Sequence, residues 1–455
     1  MNLLQTLIAF IFALGLLVII HEMGHFLVAR LCGVKVLRFS VGMGKVVFSR
    51  RFGADQTEWV ISALPLGGYV KMLDAREQNL DELSAHDRKR EFTSQNVWKR
   101  IAIVAAGPIS NFILAILLFA GLYVHGVPEP IAKIRIVPEQ SVAYKAGLRG
   151  GEHVTAVNGE AIALWSDLRW KMVQLAVEKS AAKLDISRPD PLDPKGTLLD
   201  TITIPLNSLT PEDLEGDFLS ALGISLARPP AVLGKIVPNG PAMQGGLQEG
   251  DLVLAVDGKP VADGLAFIEL LRDSANKPLK VTGQRAQREF TAIVTPEALT
   301  QGDRIVGKIK AEVSMTPVMI TVSAAPIDAI IKGATRTWDT SVLSLKMLGK
   351  MLVGEVSLKN ITGPITIADY AGQTARIGIV SYISFIAFIS ISLGVMNLLP
   401  IPVLDGGLLL YYFVEVLTGR PISARFGEIA QRAGMGILMT LMLIAVFNDI
   451  VRLIS

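Results

Sequence analysis

Cysteine is almost absent from this chain: Cys32 is the only one in 455 residues. An intramolecular disulfide is therefore excluded, and any water-facing domain must be held by its own core, even in an oxidising compartment. Histidine is scarce too, with five residues, so two histidines at metal-binding spacing carry more weight here than in a His-rich chain. Charge of one sign is also lacking. The 44 Lys and Arg nearly balance the 41 Asp and Glu, and a net charge of +3 gives no basis for nucleic acid as a partner. Charged residues make up only 19% of the chain against 51% hydrophobic, with a mean hydropathy of +0.46. That is too apolar for an ordinary soluble protein and too charged for a chain made only of spans, so a few membrane helices plus a sizeable soluble portion are expected. No Lys or Arg precedes the first apolar run, Met1 to Ile20, and His21 and Glu22 follow it directly. A signal peptide needs basic residues before such a run and small ones after it, so this run reads as a retained transmembrane helix.

Four segments are long and apolar enough to cross a bilayer, which takes about 20 residues: roughly Leu3 to Leu27, Ile101 to Val124, Ile379 to Leu399 and Ala433 to Ile450. Arg30, Lys35, Arg38, Lys45, Arg50 and Arg51 follow the first, Lys99 and Arg100 precede the second, and Arg420, Arg425 and Arg432 lie between the third and fourth. Positive charge marks these connections as cytoplasmic. Both termini and the stretch from His125 to about Tyr370 then lie outside, which in a Gram-negative bacterium would mean the periplasm. In the first connection, Val36 to Arg50 and Glu58 to Met72 alternate and carry Gly42, Gly44, Gly67 and Gly68, which are strand and turn signals. Gly67-Gly68-Tyr69-Val70 fits an edge strand near the membrane surface.

The outer region contains a repeat. Ala146 to Val154 leads to Val157-Asn158-Gly159, and Gly245 to Val253 leads to Val256-Asp257-Gly258. Each copy reads as a turn, a short strand and a hairpin turn, one small domain apiece. The pair resembles PDZ domains in the permuted form common in bacterial proteases. Leu222-Gly223-Ile224 resembles the PDZ carboxylate-binding loop, whose amides can cup a peptide C-terminus; the alternative is that the domains only block access or space partners. After the second copy, Ile327, Ile330, Ile331, Ala334, Trp338, Val342, Leu345, Leu348 and Leu352 follow helical spacing. They predict an amphipathic helix, lying either on the membrane face or against a neighbouring domain.

The sharpest feature is His21-Glu22-Met23-Gly24-His25. On a helix the two imidazoles project from one face and can share a metal, and neutral imidazole nitrogens suit Zn²⁺. Glu22 sits beside that metal without having to bind it, placed to take a proton from water there and return one to a leaving amine. With five histidines, the pattern arises by chance on the order of once in several hundred such chains. A third ligand at matching depth is Asp405. It follows the third span at the cytoplasmic end, in Asn397-Leu398-Leu399-Pro400-Ile401-Pro402-Val403-Leu404-Asp405-Gly406, where Pro400 and Pro402 must unwind the helix and can turn the carboxylate inward.

His21 to His25 in the first span together with Asn397 to Gly406 resembles the site-two protease family of intramembrane zinc metalloproteases. Gly67-Gly68-Tyr69, Gly107-Pro108-Ile109-Ser110-Asn111 and Gly363-Pro364-Ile365 are further pieces similar to that family, and the resemblance covers essentially the whole chain. It implies a polytopic α-helical membrane protein of four transmembrane helices, with two PDZ-like α/β domains inserted between helices two and three. The expected divisions are 1–30 for the first helix, 31–98 for a cytoplasmic β-rich loop and 99–125 for the second helix. The PDZ-like domains would take 126–220 and 221–309, and an amphipathic region 310–378. The third helix with its motif would span 379–406, a cytoplasmic loop 407–432 and the fourth helix 433–455. The resemblance also implies roles. His21, His25 and Asp405 would hold Zn²⁺, Glu22 would activate water, Asn397 would hold the substrate or the oxyanion, and the strand at Gly67, Gly68 and Tyr69 would pair with an unwound substrate segment. Substrates would be single-pass membrane proteins, of the anti-sigma factor type already shortened outside the membrane, and remnant signal peptides. The protein would sit in the bacterial inner membrane with its active site toward the cytoplasm. Two other readings stay open on the residues alone: a membrane scaffold with a structural metal site, and a zinc or proton transporter.

Overall fold

The computed structural model describes residues 3–75, 85–189, 197–207, 209, 218–301, 304–354, 356–357 and 361–454. The chain divides into two compact units. One joins Met1–Val127 to Val322–Ser455, and the other is Pro128–Thr321.

The first unit holds four helices long and apolar enough to cross a membrane: Leu3–Leu31, Val97–His125, Ile379–Asn397 and Arg425–Val451. The first runs on past His25 to Leu31, so the His-Glu motif lies inside a helix and not at its end. At about 1.5 Å per residue a helix of this length outreaches the ~30 Å hydrocarbon layer. The last turns of the first span pack on protein: Phe26 stacks edge-on against Phe39 and Trp59. Lipid gives helices no hydrophobic drive to associate, so close packing of small residues takes over. Gly24 does this here, since a Cβ on it would come within 2.3 Å of the Ala106 carbonyl oxygen on the second span.

Strands β1 (Val36–Phe52) and β2 (Thr57–Met72) pair with each other, and each bends back on itself. Val41 faces both Gly68 and Ile61, and Phe39 faces both Val70 and Trp59. The hairpin is thus a small four-stranded sheet in the order 46–52, 57–62, 36–41, 68–72, with the last segment on the edge. Gly42 (φ 86°) and Gly67 (φ 84°) make the reversals, in a conformation that L side chains avoid. The edge segment is tied down at its end. Leu73 N–H donates to the Lys35 carbonyl, Phe92 N–H to that of Leu73, and Lys35 N–H to that of Arg90. Buried Glu91 then accepts from Ala75 N, Thr93 N, Thr93 Oγ1 and Ser94 N at 2.6–2.9 Å.

Residues 407–432, expected as a loop, contain most of the helix Asp405–Thr418 and the start of Ala424–Ile454. Arg100 fastens the first of these to the second span. It donates to both Glu415 oxygens (2.6 and 3.2 Å), and its guanidinium lies 4.8 Å from the Tyr412 ring centre. The Gly363-Pro364-Ile365 piece proves to be a helix N-terminus capped from the fourth span. Asp449 accepts from the amides of Gly363, Ile365 and Thr366 and from Thr366 Oγ1. The Pro326–Leu352 helix packs on the second span through small residues, since a Cβ on Gly333 would meet the Ile116 carbonyl at 2.7 Å. Ile327, Ile331 and Trp338 stay exposed, whereas Leu348 packs against Ala115, Ile391 and Val395, so only part of the large apolar face that the spacing singled out is packed.

The middle unit has two hydrophobic cores, one from Ala132 to Ile224 and one from Ala231 to Ile309. They share a plan: short helices Val142–Ala146 and Pro241–Gln244, strands His153–Val157 and Leu252–Val256, then helices Trp165–Val177 and Gly264–Arg272. Asn158 and Asp257 both sit at positive φ before a glycine, and their Oδ1 atoms accept from Lys183 N and Lys280 N, each at 2.8 Å. The boundary expected at 220/221 moves. Leu222 and Ile224 are buried in the first core, because the turn after Phe218–Ala221 folds inward. The boundary expected at 309 moves as well, since Ala311–Val313 completes the second sheet by pairing with Ala231–Ile236.

Candidate metal centre

The first, second and third spans and the Pro-broken segment bring three ligand atoms together. His21 Nε2 lies 3.2 Å from Asp405 Oδ2, His25 Nε2 lies 3.5 Å from it, and the two Nε2 atoms are 3.3 Å apart. A tetrahedral zinc with bonds of about 2.0–2.1 Å holds neighbouring ligand atoms about 3.3–3.4 Å apart. The three separations match that edge length, so this donor set fits the ion. Among the described residues, this is the one group of three or more His, Cys, Asp or Glu side chains spaced to hold a metal.

Each ligand is placed by its neighbours. His25 Nδ1 donates to the Ile103 carbonyl at 2.8 Å, which puts the ring proton on Nδ1 and leaves Nε2 bare. Pro108, inside the second span, has no amide to offer the Val104 carbonyl one turn back. Gly107 lets the helix press on both rings: a Cβ there would lie 2.2 Å from His25 Nε2 and 2.9 Å from His21 Cε1. Asp405 opens its helix at the positive end of the dipole, a favourable place for a carboxylate. The chain reaches it through Val403 at φ 152°, a strained conformation for a β-branched residue. Gly406 and Gly407 lie against the Leu398, Leu399 and Ile401 backbone, where a Cβ would come within 2.4 Å, and this explains the small residues after Asp405.

The three ligands open onto a cavity of about 310 Å³, lined also by Glu22, Gly68, Tyr69, Val70, Lys71, Met72, Asp74, Phe92, Val104 and Leu408. Glu22 shares the cavity with the metal ligands without belonging to the ligand group. Gly68 crosses directly above it, where a Cβ would meet Glu22 Cγ at 3.0 Å and Val18 Cγ1 at 2.9 Å. The edge segment of β2 thus runs past the base with little clearance. Tyr69 is anchored by Arg38, whose Nη1 donates to its hydroxyl at 3.1 Å; Gly67 shapes the reversal.

Asn397 ends the third span, half-buried, and does not line the cavity. The amides of Leu222, Gly223 and Ile224 donate to the carbonyls of Phe218, Ser220 and Leu219, so none of the three is left to cup a carboxylate. The sequence reading gave no role to Gly107 or Asn111. Their signal was a glycine, a proline and a buried amide within one apolar span, but which way they face depends on the first span.

The chain belongs to peptidase family M50, whose model matches residues 9–441. A Ralstonia nicotianae protein whose name carries the words zinc metalloprotease is 38% identical over 461 residues, covering 98% of each chain. The regulator of sigma-E protease RseP of Escherichia coli is 37% identical over 460 residues, and the regulator of sigma E protease of Haemophilus influenzae 36% over 461, each match covering 100% of both chains. The chain is accordingly a zinc metalloprotease of the inner membrane, with four apolar spans and an inserted sheet-rich region.

Proposed function

We propose that the protein hydrolyses peptide bonds of single-pass membrane proteins at the cytoplasmic side of the bilayer, with His21, His25 and Asp405 holding Zn²⁺. The observation that carries this reading is the convergence of the three ligand atoms at tetrahedral spacing, with Glu22 in the same cavity. Bound there, zinc supplies Lewis acidity toward water and the scissile carbonyl. Glu22 removes a proton from the attacking water and hands it to the departing amine nitrogen. The edge of β2 at Gly68 and Tyr69 pairs with the substrate. A transmembrane helix hides its carbonyls in its own hydrogen bonds, and a strand edge offers replacement partners once it unwinds. Asn397, at the end of the third span, holds the substrate or the oxyanion through its side-chain amide.

By the same reading the middle unit is a periplasmic PDZ-like pair. Substrates are of the anti-sigma factor type, trimmed outside the membrane, together with remnant signal peptides. Metal content and cleavage of a short-ectodomain membrane substrate test the assignment together. His21→Ala, His25→Ala and Asp405→Ala should lose zinc and activity, while Glu22→Gln should keep zinc and lose activity. Full zinc and full turnover in the Asp405 variant would remove it from the ligand set.

A further inference from the structure

Asn111 is fully buried in the second span, and its side-chain amide lies against His21, with Nδ2 recorded 3.1 Å from Nδ1 of the ring. Asn111 Oδ1 is buried with no partner among the described residues. A polar side chain at such depth is costly, and its usual reason is functional. The residue is also held by its backbone: Ser390 of the third span donates its hydroxyl to the Asn111 carbonyl at 2.7 Å. Asn111 therefore ties together the first, second and third spans.

The oxygen and nitrogen of a carboxamide exchange places on a half-turn, so the two settings must be told apart by the bonds they make. With the NH₂ facing the ring, His21 Nδ1 accepts, the ring proton sits on Nε2, and that atom cannot bind a metal. With the oxygen facing the ring, Nδ1–H donates and Nε2 is bare. His25 already has the second arrangement, because the Ile103 carbonyl can only accept. Either setting of Asn111 makes one bond to the ring, but only the second leaves both Nε2 lone pairs, 3.3 Å apart, facing one ion.

Resting on the metal assignment above, we propose that Asn111 is the positioning residue for His21. Its amide oxygen accepts the His21 Nδ1–H, fixes the tautomer and ring angle, and so tightens zinc binding. Ser390 holds the Asn111 backbone in register for this.

The test uses the full-length protein in detergent, loaded with zinc and challenged with graded chelator. Retained zinc is read by elemental analysis, and the cobalt-substituted absorption spectrum serves as a second readout. Asn111→Leu keeps the size and removes the acceptor. It should release zinc 10–100-fold more readily, the usual cost of losing a partner behind a metal-bound histidine. Asn111→Asp can accept but not donate, and should hold zinc at least as well as the wild type, with an unchanged cobalt spectrum. Equal retention in Asn111→Leu and wild type overturns the proposal. So does an Asn111→Asp protein that loses zinc, since that marks the amide as a donor to the ring. Should Asn111→Leu not yield monodisperse protein, the aspartate variant decides alone. His21→Ala is the control: if it keeps as much zinc as the wild type, the metal assignment itself fails, and this inference with it.

Discussion

At Gly107 a single added carbon would reach the ligands of the centre before anything else, 2.2 Å from His25 Nε2. In an ordinary helix, Gly→Ala is stabilising by about 0.8–1 kcal/mol. Here that gain competes with displacement of the imidazole, and the overlap is far inside van der Waals contact. Gly107→Ala should therefore lower zinc occupancy and turnover together, with the thermal midpoint falling only as far as the lost zinc accounts for. Thermal unfolding paired with metal analysis of the same sample checks this, and a fully loaded, active Gly107→Ala protein would refute the close approach. The contrast with His21, Glu22 and His25 shows what can be read along a chain. Their spacing is local to one helix, and the prolines before Asp405 mark a break that is also local. Gly107 and Asn111 act across two spans, and no pattern in the second span says which of its faces meets the first. The resemblance assigned Asn397 a place at the reacting carbonyl. Its position at the end of the third span leaves that role to be tested by substitution.

At the scale of elements, the proposed pairing with substrate requires the edge segment 68–72 to stay over Glu22, and Glu91 is the knot at the end of that segment. Burial pulls the Glu91 carboxyl up, but its four donors outweigh that and hold it below the ordinary carboxylate range. A carboxyl with a depressed folded value contributes stability that is fully present above its unfolded pKa of about 4.3 and is lost as pH falls through the lower folded value. Glu91→Gln should weaken this loop by about 1.5–3 kcal/mol, the range for hydrogen bonds to a charged group, with the difference from wild type shrinking toward pH 3. Hydrogen exchange at Leu73, Ala75 and Phe92 from pH 7 downward measures it. A variant exchanging at the wild-type rate near neutrality would show the knot to be dispensable. Alternation along Val36–Arg50 and Glu58–Met72 announced strands, and glycines announced turns. The doubling back into four segments was hidden, because a strand that pairs on both edges reads the same as one that pairs on one. The amphipathic helix was legible in its span but only in part in its contact, since Gly333 also packs.

At the scale of the whole molecule, topology and substrate choice meet. Positive charge between the third and fourth spans predicts that a cysteine at exposed Arg420 is shielded from a membrane-impermeant thiol reagent added outside, while one at exposed Lys277 is labelled, both in a Cys32→Ser background. The reverse pattern would turn the protein over in the membrane. If the prediction holds, a bulky pair of domains lies on the side opposite the cytoplasmic centre, and two mechanisms of selection compete. In one, the pair excludes large outer domains by size; in the other, Leu222-Gly223-Ile224 captures the C-terminus left by an earlier cut and thereby opens the site. The occupied amides of that loop favour exclusion, because capture would first have to break three backbone hydrogen bonds. The excision that separates the two should follow the observed unit, Pro128–Thr321. A cut at 308 would strip Ala311–Val313 from the second sheet and leave unpaired strand behind. Exclusion predicts that the excised protein cleaves untrimmed substrates that the intact protein refuses. Capture predicts that it cleaves trimmed substrates more slowly, and that amidating the substrate's C-terminus slows the intact protein equally. Continued refusal of long substrates by a protein without the unit would end the size-filter account, because steric bulk that is no longer present cannot discriminate.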